Sequence, residues 1–120
     1  MSEEHRKFVR LRSRLTTILT LPSTGQAQRA LTRDVGEIGV CVVAEAPYEP
    51  GTPMAVEMKL PDYPSPVKFL AQVMWCKLTG RGRKGQRSMA EIGLRFVSID
   101  PKARSLITQY AKLNALPSER

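Results

Sequence analysis

Residues 67–75 have the sequence Val67-Lys68-Phe69-Leu70-Ala71-Gln72-Val73-Met74-Trp75, and this stretch decides the fold. Every second residue from Val67 to Trp75 is apolar. Because successive side chains of a strand point to opposite faces, these alternate residues would share one face of a long β-strand. The preceding residues 61–66 contain three prolines, which cannot donate to a strand ladder, so they predict a turn.

The same two-residue period recurs on both sides of this stretch and predicts further strands. Their apolar faces comprise Leu15, Thr17, Leu19 and Leu21; Val40, Val42 and Ala44; Met54, Val56, Met58 and Leu60; and Ala90, Ile92, Leu94 and Phe96. A short strand around residues 30–33 would precede a turn at Asp34. We therefore expect about five to seven antiparallel strands, and closing them into a barrel would remove the edges that short strands expose.

The period changes at the C-terminus, where a helix is predicted. Asp100 can act as the N-cap, with Pro101 at the first helical position. The apolar residues that then recur at helical spacing are Ala103, Leu106, Ile107, Tyr110 and Leu113. This pattern predicts one amphipathic helix at about residues 101–114, capping the barrel and followed by a polar tail at 115–120.

The composition is that of one ordinary globular domain. The chain has 120 residues, 42% of them hydrophobic and 25% charged, and no run approaches the roughly 18 apolar residues of a membrane span. Residues 1–5 are polar and acidic, so no secretory signal is visible. Cys41 and Cys76 fall within apolar strand patterns and are expected to be reduced core residues. We therefore expect a cytoplasmic protein.

The net charge of +8 is concentrated in two short stretches. They hold almost half of the 19 basic residues: Arg6, Lys7, Arg10, Arg12 and Arg14 near the N-terminus, and Arg81, Arg83, Lys84 and Arg87 in a glycine-containing connection at residues 79–87. Such clusters favour anionic partners, although two solvated basic segments would look the same. The connection lacks Gly-Lys-Ser/Thr, so it is not a phosphate loop of the nucleotide-hydrolase kind.

Two segments carry groups that suit a nucleotide. Arg6-Lys7-Phe8-Val9-Arg10 supplies two guanidinium forks, which fit phosphate oxygens and the O6/N7 edge of guanine. Asp34-Val35-Gly36-Glu37-Ile38-Gly39 supplies a carboxylate that can accept from guanine N1–H and N2–H₂, beside glycine backbone that a ligand can approach. Trp75 could add a stacking face for a base.

With these segments, the sequence resembles the PilZ domain, the bacterial receptor family for cyclic di-GMP. Arg6 and Arg10 match the family's Arg-x-x-x-Arg, and Asp34 and Gly39 match the ends of its Asp/Asn-x-Ser-x-x-Gly. The stretches Val73-Met74-Trp75 and 91–100 resemble its tryptophan-bearing strand and its last strand with the helix entry. The resemblance covers roughly residues 4–113.

The resemblance implies a six-stranded antiparallel β-barrel capped by an α-helix. It divides the chain into a basic arm at 1–14, a barrel with its helix at 15–114 and a tail at 115–120. The implied ligand is cyclic di-GMP, held by Arg6 and Arg10 on phosphate and guanine and by Asp34 on a guanine edge. Gly36, Gly39, Trp75 and Arg33 would lie at or beside the site. Binding would order the arginine segment and alter a surface seen by an unknown protein partner.

One position departs from the family pattern: Gly36 replaces the motif serine. Losing one hydrogen bond costs on the order of 0.5–1.5 kcal/mol, which weakens binding by about tenfold and does not abolish it. Retained cyclic di-GMP binding is therefore favoured. The alternative is a degenerate PilZ adaptor that keeps the barrel, does not bind the ligand and acts through protein contacts.

Several residues have a second interpretation. Arg10 and Arg14 repeat the Arg-x-x-x-Arg spacing one element later. Gly36 and Gly39 could serve only to allow positive φ in a turn, and Trp75 could be a core residue. His5 is the only histidine and no nucleophile–base pair or metal site is apparent, so we predict neither an enzyme nor a metalloprotein. Nucleic-acid binding is disfavoured, because only 6% of residues are aromatic.

Overall fold

The computed structural model describes residues 10–79 and 89–114, with the backbone alone for residues 10–12. Within these ranges lie seven strands and one helix. The strands are β1 (Arg10–Arg12), β2 (Thr16–Thr20), β3 (Ala27–Gly36), β4 (Gly39–Ala44), β5 (Pro53–Met58), β6 (Val67–Thr79) and β7 (Met89–Ser98), and helix α1 spans Pro101–Asn114. No helix in the described ranges is long and apolar enough to cross a membrane.

Six of these strands form a closed antiparallel barrel. Neighbouring strands follow the order β3-β2-β5-β6-β7-β4, and β4 pairs back with β3. Strand β1 joins the same sheet by pairing with the last three residues of β3. This confirms the predicted six-stranded barrel with one C-terminal helix.

The barrel interior is filled by the residues that alternate along the strands. Nearly every residue of the predicted apolar faces is buried; Leu21 and Phe96 are partly buried against the core, and Trp75 is exposed. The ring of Phe96 packs edge-on against Phe69, with centroids 4.9 Å apart. The two-residue period was therefore a sound guide to the core, and Trp75 is the one large exception.

Buried Thr32 of β3 forms hydrogen bonds with residues 13–15, the break that separates β1 from β2. Its hydroxyl donates to the Ser13 carbonyl and accepts from the Leu15 N–H, both at 2.8 Å. The Thr32 N–H donates to the Leu15 carbonyl at 3.0 Å, and the Ser13 N–H donates to the Arg33 carbonyl at 3.1 Å. Because these bonds satisfy the backbone of the break, β1 can continue alongside the end of β3.

Two β-bulges decide which side chains face outward near that end of the barrel. The pairing of β3 with β4 shifts register between Thr32 and Asp34, and the pairing of β6 with β7 shifts between Val73 and Trp75. A bulge inserts one unpaired residue, so the alternation of faces is reversed beyond it. Thr32 and Val73 are buried, so simple alternation would direct Asp34 and Trp75, two positions later, into the core. Each of the two side chains is instead directed outward. The predicted placement of Trp75 on the inner face was therefore wrong.

Helix α1 begins as predicted, with Asp100 as its N-cap. The Asp100 carboxylate accepts from the Lys102 N–H at 3.1 Å. The buried face centres on Ile107 and Ala111, whereas Leu113 is 77% exposed. Position 113 lies about 200° around the helix from Ala111, so it cannot share that face. The predicted helix bounds are confirmed, but the prediction that Leu113 belongs to the apolar face was wrong.

The basic connection predicted at residues 79–87 lies outside the described residues except for its first position. Thr79 ends β6, and its hydroxyl donates to the Met89 carbonyl of β7 at 3.3 Å. The arm before residue 10 and the tail at 115–120 also lie outside the described ranges.

Candidate functional site

Strands β3 and β4 are joined by a tight hairpin in which Glu37 and Ile38 are the only connecting residues. Asp34 lies within β3, where it pairs with Cys41 of β4 on one side and Arg12 of β1 on the other. The sequence had predicted a turn at Asp34, but the turn comes after it, at Glu37 and Ile38. Pairing with two strands keeps the backbone of Asp34 extended, which overrides the local turn preference of an aspartate two residues ahead of Gly36.

Gly39, the first residue of β4, allows the hairpin to pack against β7. Gly39 pairs with Arg95, and a Cβ at Gly39 would collide with the Leu94 carbonyl oxygen and lie 3.0 Å from the Arg95 Cα. Its φ is outside the left-handed region. The requirement for glycine at this position is thus close approach of two backbones and not positive φ.

Substituting Gly39 should destabilise the fold. In Gly39→Ala the new methyl group meets backbone atoms, which cannot rotate away, so we expect the free energy of unfolding to fall by about 1–3 kcal/mol. Urea denaturation would measure the change. Ile38→Ala, a truncation at the adjacent and 52% exposed position, is the matched control and should stay within about 0.5 kcal/mol. Equal stability of Gly39→Ala and wild type would contradict the packing argument.

Trp75 lies on the outside of the barrel, against a strand position that has no side chain. It pairs with Gly93 of β7 across the bulge at Met74. A Cβ at Gly93 would lie 2.9 Å from the indole Cδ1 and closer still to Nε1 and Cε2, so the indole occupies the space that a side chain would take. The tryptophan is 44% exposed, which leaves part of the ring accessible.

The hairpin and Trp75 enclose a cleft of about 380 Å³ on the outer surface of the barrel. It is lined by Asp34, Gly36, Glu37, Ile38, Gly39, Val40, Cys41, Met74, Trp75, Gly93, Leu94 and Arg95. Asp34, Gly36, Gly39 and Trp75, which the sequence predicted as site residues, therefore come together although up to 41 positions separate them. An acceptor carboxylate, a planar aromatic face and a guanidinium from Arg95 suit a ligand with a planar base and an anionic part.

Arg33 lies next to this cleft but is directed towards β7. Its Nη1 donates to the Glu91 Oε1 at 2.7 Å, while its Nε is 3.9 Å from the Asp34 Oδ2. Arg33 is the unpaired residue of the β3 bulge, and its side chain is 41% exposed. Arg33 thus lines a neighbouring groove and not the cleft itself, with Glu91 as its shorter ion-pair partner.

The N-terminal arginines are only partly described. Arg6 lies outside the described residues, and the backbone of Arg10 pairs with Gly36, which lines the cleft. Arg14, the second arginine of the later register, lines two other grooves, beside Thr32 and beside Lys59. The placement of Arg14 away from the cleft is what favours the register of Arg6 and Arg10 over that of Arg10 and Arg14.

Sequence reasoning missed Arg95 as a site residue. Its neighbour Leu94 is buried with Ile92, so alternation along β7 directs Arg95 outward, and it lines the cleft. That signal was present in the apolar period of residues 90–96. The other lining residues that the sequence did not nominate are Glu37, Ile38, Val40, Cys41, Met74, Gly93 and Leu94.

No group of three or more His, Cys, Asp or Glu side chains within residues 10–79 and 89–114 is arranged to hold a metal ion. Cys41 lies on β4 and Cys76 on β6, and both are thiols.

The PilZ domain family model matches residues 4–113 of the chain. No curated protein sequence matches the chain.

Solved structures with the same fold are distant in sequence. The PilZ domain of YcgR from Escherichia coli, in a structure with c-di-GMP, has a TM-score of 0.71 at 14% identity, covering 90% of this chain and 89% of that one. The inhibitor of motility MotI from Bacillus subtilis has a TM-score of 0.70 at 18% identity over 96% of this chain, which spans 53% of the Bacillus protein. PlzA from Borreliella burgdorferi, in complex with c-di-GMP, has a TM-score of 0.56 at 12% identity, covering 94% of this chain and 49% of PlzA.

These identities show a shared fold and no more. The family match is independent of them and extends from before β1 almost to the end of α1. With the barrel, the hairpin carrying Asp34 and Gly39, and the terminal helix all in place, the chain belongs to the PilZ domain family.

Proposed function

We propose that this PilZ domain is a cyclic di-GMP receptor that binds the nucleotide in the cleft beside Trp75 and performs no chemistry on it. The observation that carries the proposal is the meeting of Asp34, the Gly39 backbone and an exposed face of Trp75 in one cleft. Strand β1 supports it, because it holds the Arg10 backbone opposite Gly36. The YcgR and PlzA structures, which contain c-di-GMP, support the ligand class.

Each group in the proposed site has a role that its chemistry allows. Arg6 and Arg10 would contact phosphate and the O6/N7 edge of guanine with their guanidinium forks. The Asp34 carboxylate would accept from guanine N1–H and N2–H₂. Trp75 would stack on a base, a contact worth about 1–3 kcal/mol in nucleic-acid complexes. Arg33 would act from beside the site, since it is engaged by Glu91.

The receptor would signal through a surface that becomes ordered when the ligand binds. The proposed receptor works in the cytoplasm and passes the signal to a protein partner through the N-terminal arm. Ordering an arm costs free energy at binding, and a partner that recognises only the ordered state converts ligand occupancy into a change of affinity.

Gly36 motivates the second candidate function, a PilZ adaptor that has lost cyclic di-GMP. Gly36 lines the cleft, where a serine would add a hydroxyl. The estimated loss of about 0.5–1.5 kcal/mol is smaller than what the arginines, Asp34 and Trp75 can supply, which is why the receptor is preferred.

A titration with cyclic di-GMP tests the receptor, and Trp75 makes the test specific because it is the only tryptophan in the chain. We expect calorimetric heat with a Kd in the low micromolar range or tighter (about −8 kcal/mol), together with a change in tryptophan fluorescence at the same ligand concentrations. GTP, the control nucleotide, should produce neither signal in that range.

Two other outcomes of the titration would change the conclusion. Heat without a fluorescence change would place the ligand away from Trp75 and contradict the proposed cleft. No heat at high ligand concentration would favour the adaptor, and the search would turn to protein partners.

A further inference from the structure

We propose that Arg104 of helix α1 is a positioning residue for the hairpin turn that lines the ligand cleft. The proposal rests on the proposed cyclic di-GMP site and concerns how its geometry is held. The turn residues Glu37 and Ile38 both line the cleft, and only two residues connect the strands there. Their carbonyl oxygens are not part of the β3–β4 ladder, so they bond either to water or to donors elsewhere in the fold.

Both carbonyls find donors in the C-terminal part of the chain. The Arg104 Nη2 donates to the Glu37 carbonyl at 3.2 Å, and the Phe96 N–H donates to the Ile38 carbonyl at 3.1 Å. The turn is therefore held by hydrogen bonds from both β7 and α1. Gly39 follows directly, with its backbone against Leu94 and Arg95, so a shift of the turn would move the cleft wall.

Both the backbone and the side chain of Arg104 are held by contacts. Its backbone N–H donates to the Asp100 carbonyl at 2.9 Å in the capped first turn of α1, and buried Ile107 fixes the helix one turn later. Its Cζ lies 5.9 Å from the centroid of the Phe96 ring, within the range of a cation–π contact. Phe96 is itself packed edge-on against Phe69 of β6.

These contacts suit a role in geometry more than in global stability. Arg104 is exposed, and single exposed charged contacts contribute little to unfolding free energy. A charge-assisted hydrogen bond to an exposed turn instead restricts which conformations the turn adopts before the ligand arrives, and such preorganisation raises affinity.

The test compares wild type with Arg104→Met, Arg104→Lys and Lys102→Met. Methionine keeps a long side chain and the helix propensity but removes the donor, and lysine keeps the charge and N–H donors without the planar guanidinium. Lys102 is the matched control, since it lies about 200° around the helix from Arg104 and is also exposed. Cyclic di-GMP affinity should weaken about three- to tenfold in Arg104→Met, recover in part in Arg104→Lys, and change less than about twofold in Lys102→Met.

Amide hydrogen exchange of the ligand-free proteins separates positioning from direct contact. Loss of the Arg104 contact should accelerate exchange at Phe96, whose N–H holds the turn, while Lys102→Met leaves it unchanged. Unchanged exchange at Phe96 in Arg104→Met would overturn the proposal, and weaker affinity in that case would mean that Arg104 touches the ligand itself. If wild type fails to bind cyclic di-GMP, the proposed function fails, and the exchange data still decide whether Arg104 holds the turn.

Discussion

Replacing Arg10 with alanine should weaken cyclic di-GMP binding by roughly 10–100-fold. A fork bonded to phosphate or guanine contributes about 1.5–3 kcal/mol, and each 1.4 kcal/mol is a factor of ten in Kd. The free energy of unfolding of the ligand-free protein should change by less than about 0.5 kcal/mol, because alanine keeps the backbone pairing of residue 10 with Gly36. Calorimetric titration and urea denaturation of the same preparation would provide both values.

The same experiment decides between the two arginine registers. Arg6→Ala should resemble Arg10→Ala, whereas Arg14→Ala should change the Kd by less than about twofold, because Arg14 lines other grooves. A large loss in Arg14→Ala with no loss in Arg6→Ala would reverse the assignment. Full affinity in Arg10→Ala would remove the N-terminal arm from the binding site altogether.

Removing the main helix anchor should have the largest effect on stability. Ile107 is fully buried under α1, and Ile→Ala substitutions in cores cost about 2–5 kcal/mol through lost burial and the cavity left behind. We expect Ile107→Ala to lower the free energy of unfolding by that amount, measured by urea denaturation. Small domains have only about 5–15 kcal/mol in total, so the variant would be marginally stable.

Leu113→Ala is the matched control on the same helix. Leu113 is 77% exposed, so its truncation should stay within about 0.5 kcal/mol. The sequence pattern had placed Leu113 on the buried face with Leu106 and Tyr110, and comparable losses in the two variants would restore that pattern. Because α1 also contacts β1 and β3, loosening the helix would affect the strand that carries Arg10.

The sequence predicted the barrel well because its strands repeat one simple rule. Buried residues such as Leu19, Val56 and Ile92 alternate with outward residues, and no local signal competes with that period. The helix was equally accessible, since Asp100 followed by Pro101 is a strong start signal. These features depend on local chemistry, which a single sequence contains.

The site was harder to predict because it depends on non-local pairing. The outward direction of Asp34 and Trp75 comes from register shifts between strands, and neither bulge has a glycine or other sequence mark at its unpaired residue. The motif resemblance nominated both residues without indicating which face they occupy. The ion pair of Arg33 with Glu91 joins residues 58 positions apart, so the sequence pattern could not predict it either.

The bulge at Met74 lengthens β6 by one residue without deciding alone which residue forms the wall of the cleft. Without Met74, Trp75 would follow buried Val73 directly, and plain alternation would still direct the indole outward and opposite Gly93. The bulge therefore matters through the residue that it adds, since Met74 is 45% exposed and itself lines the cleft. An in-frame loss of this codon would remove one flexible side chain from the cleft lining and leave its aromatic wall in place.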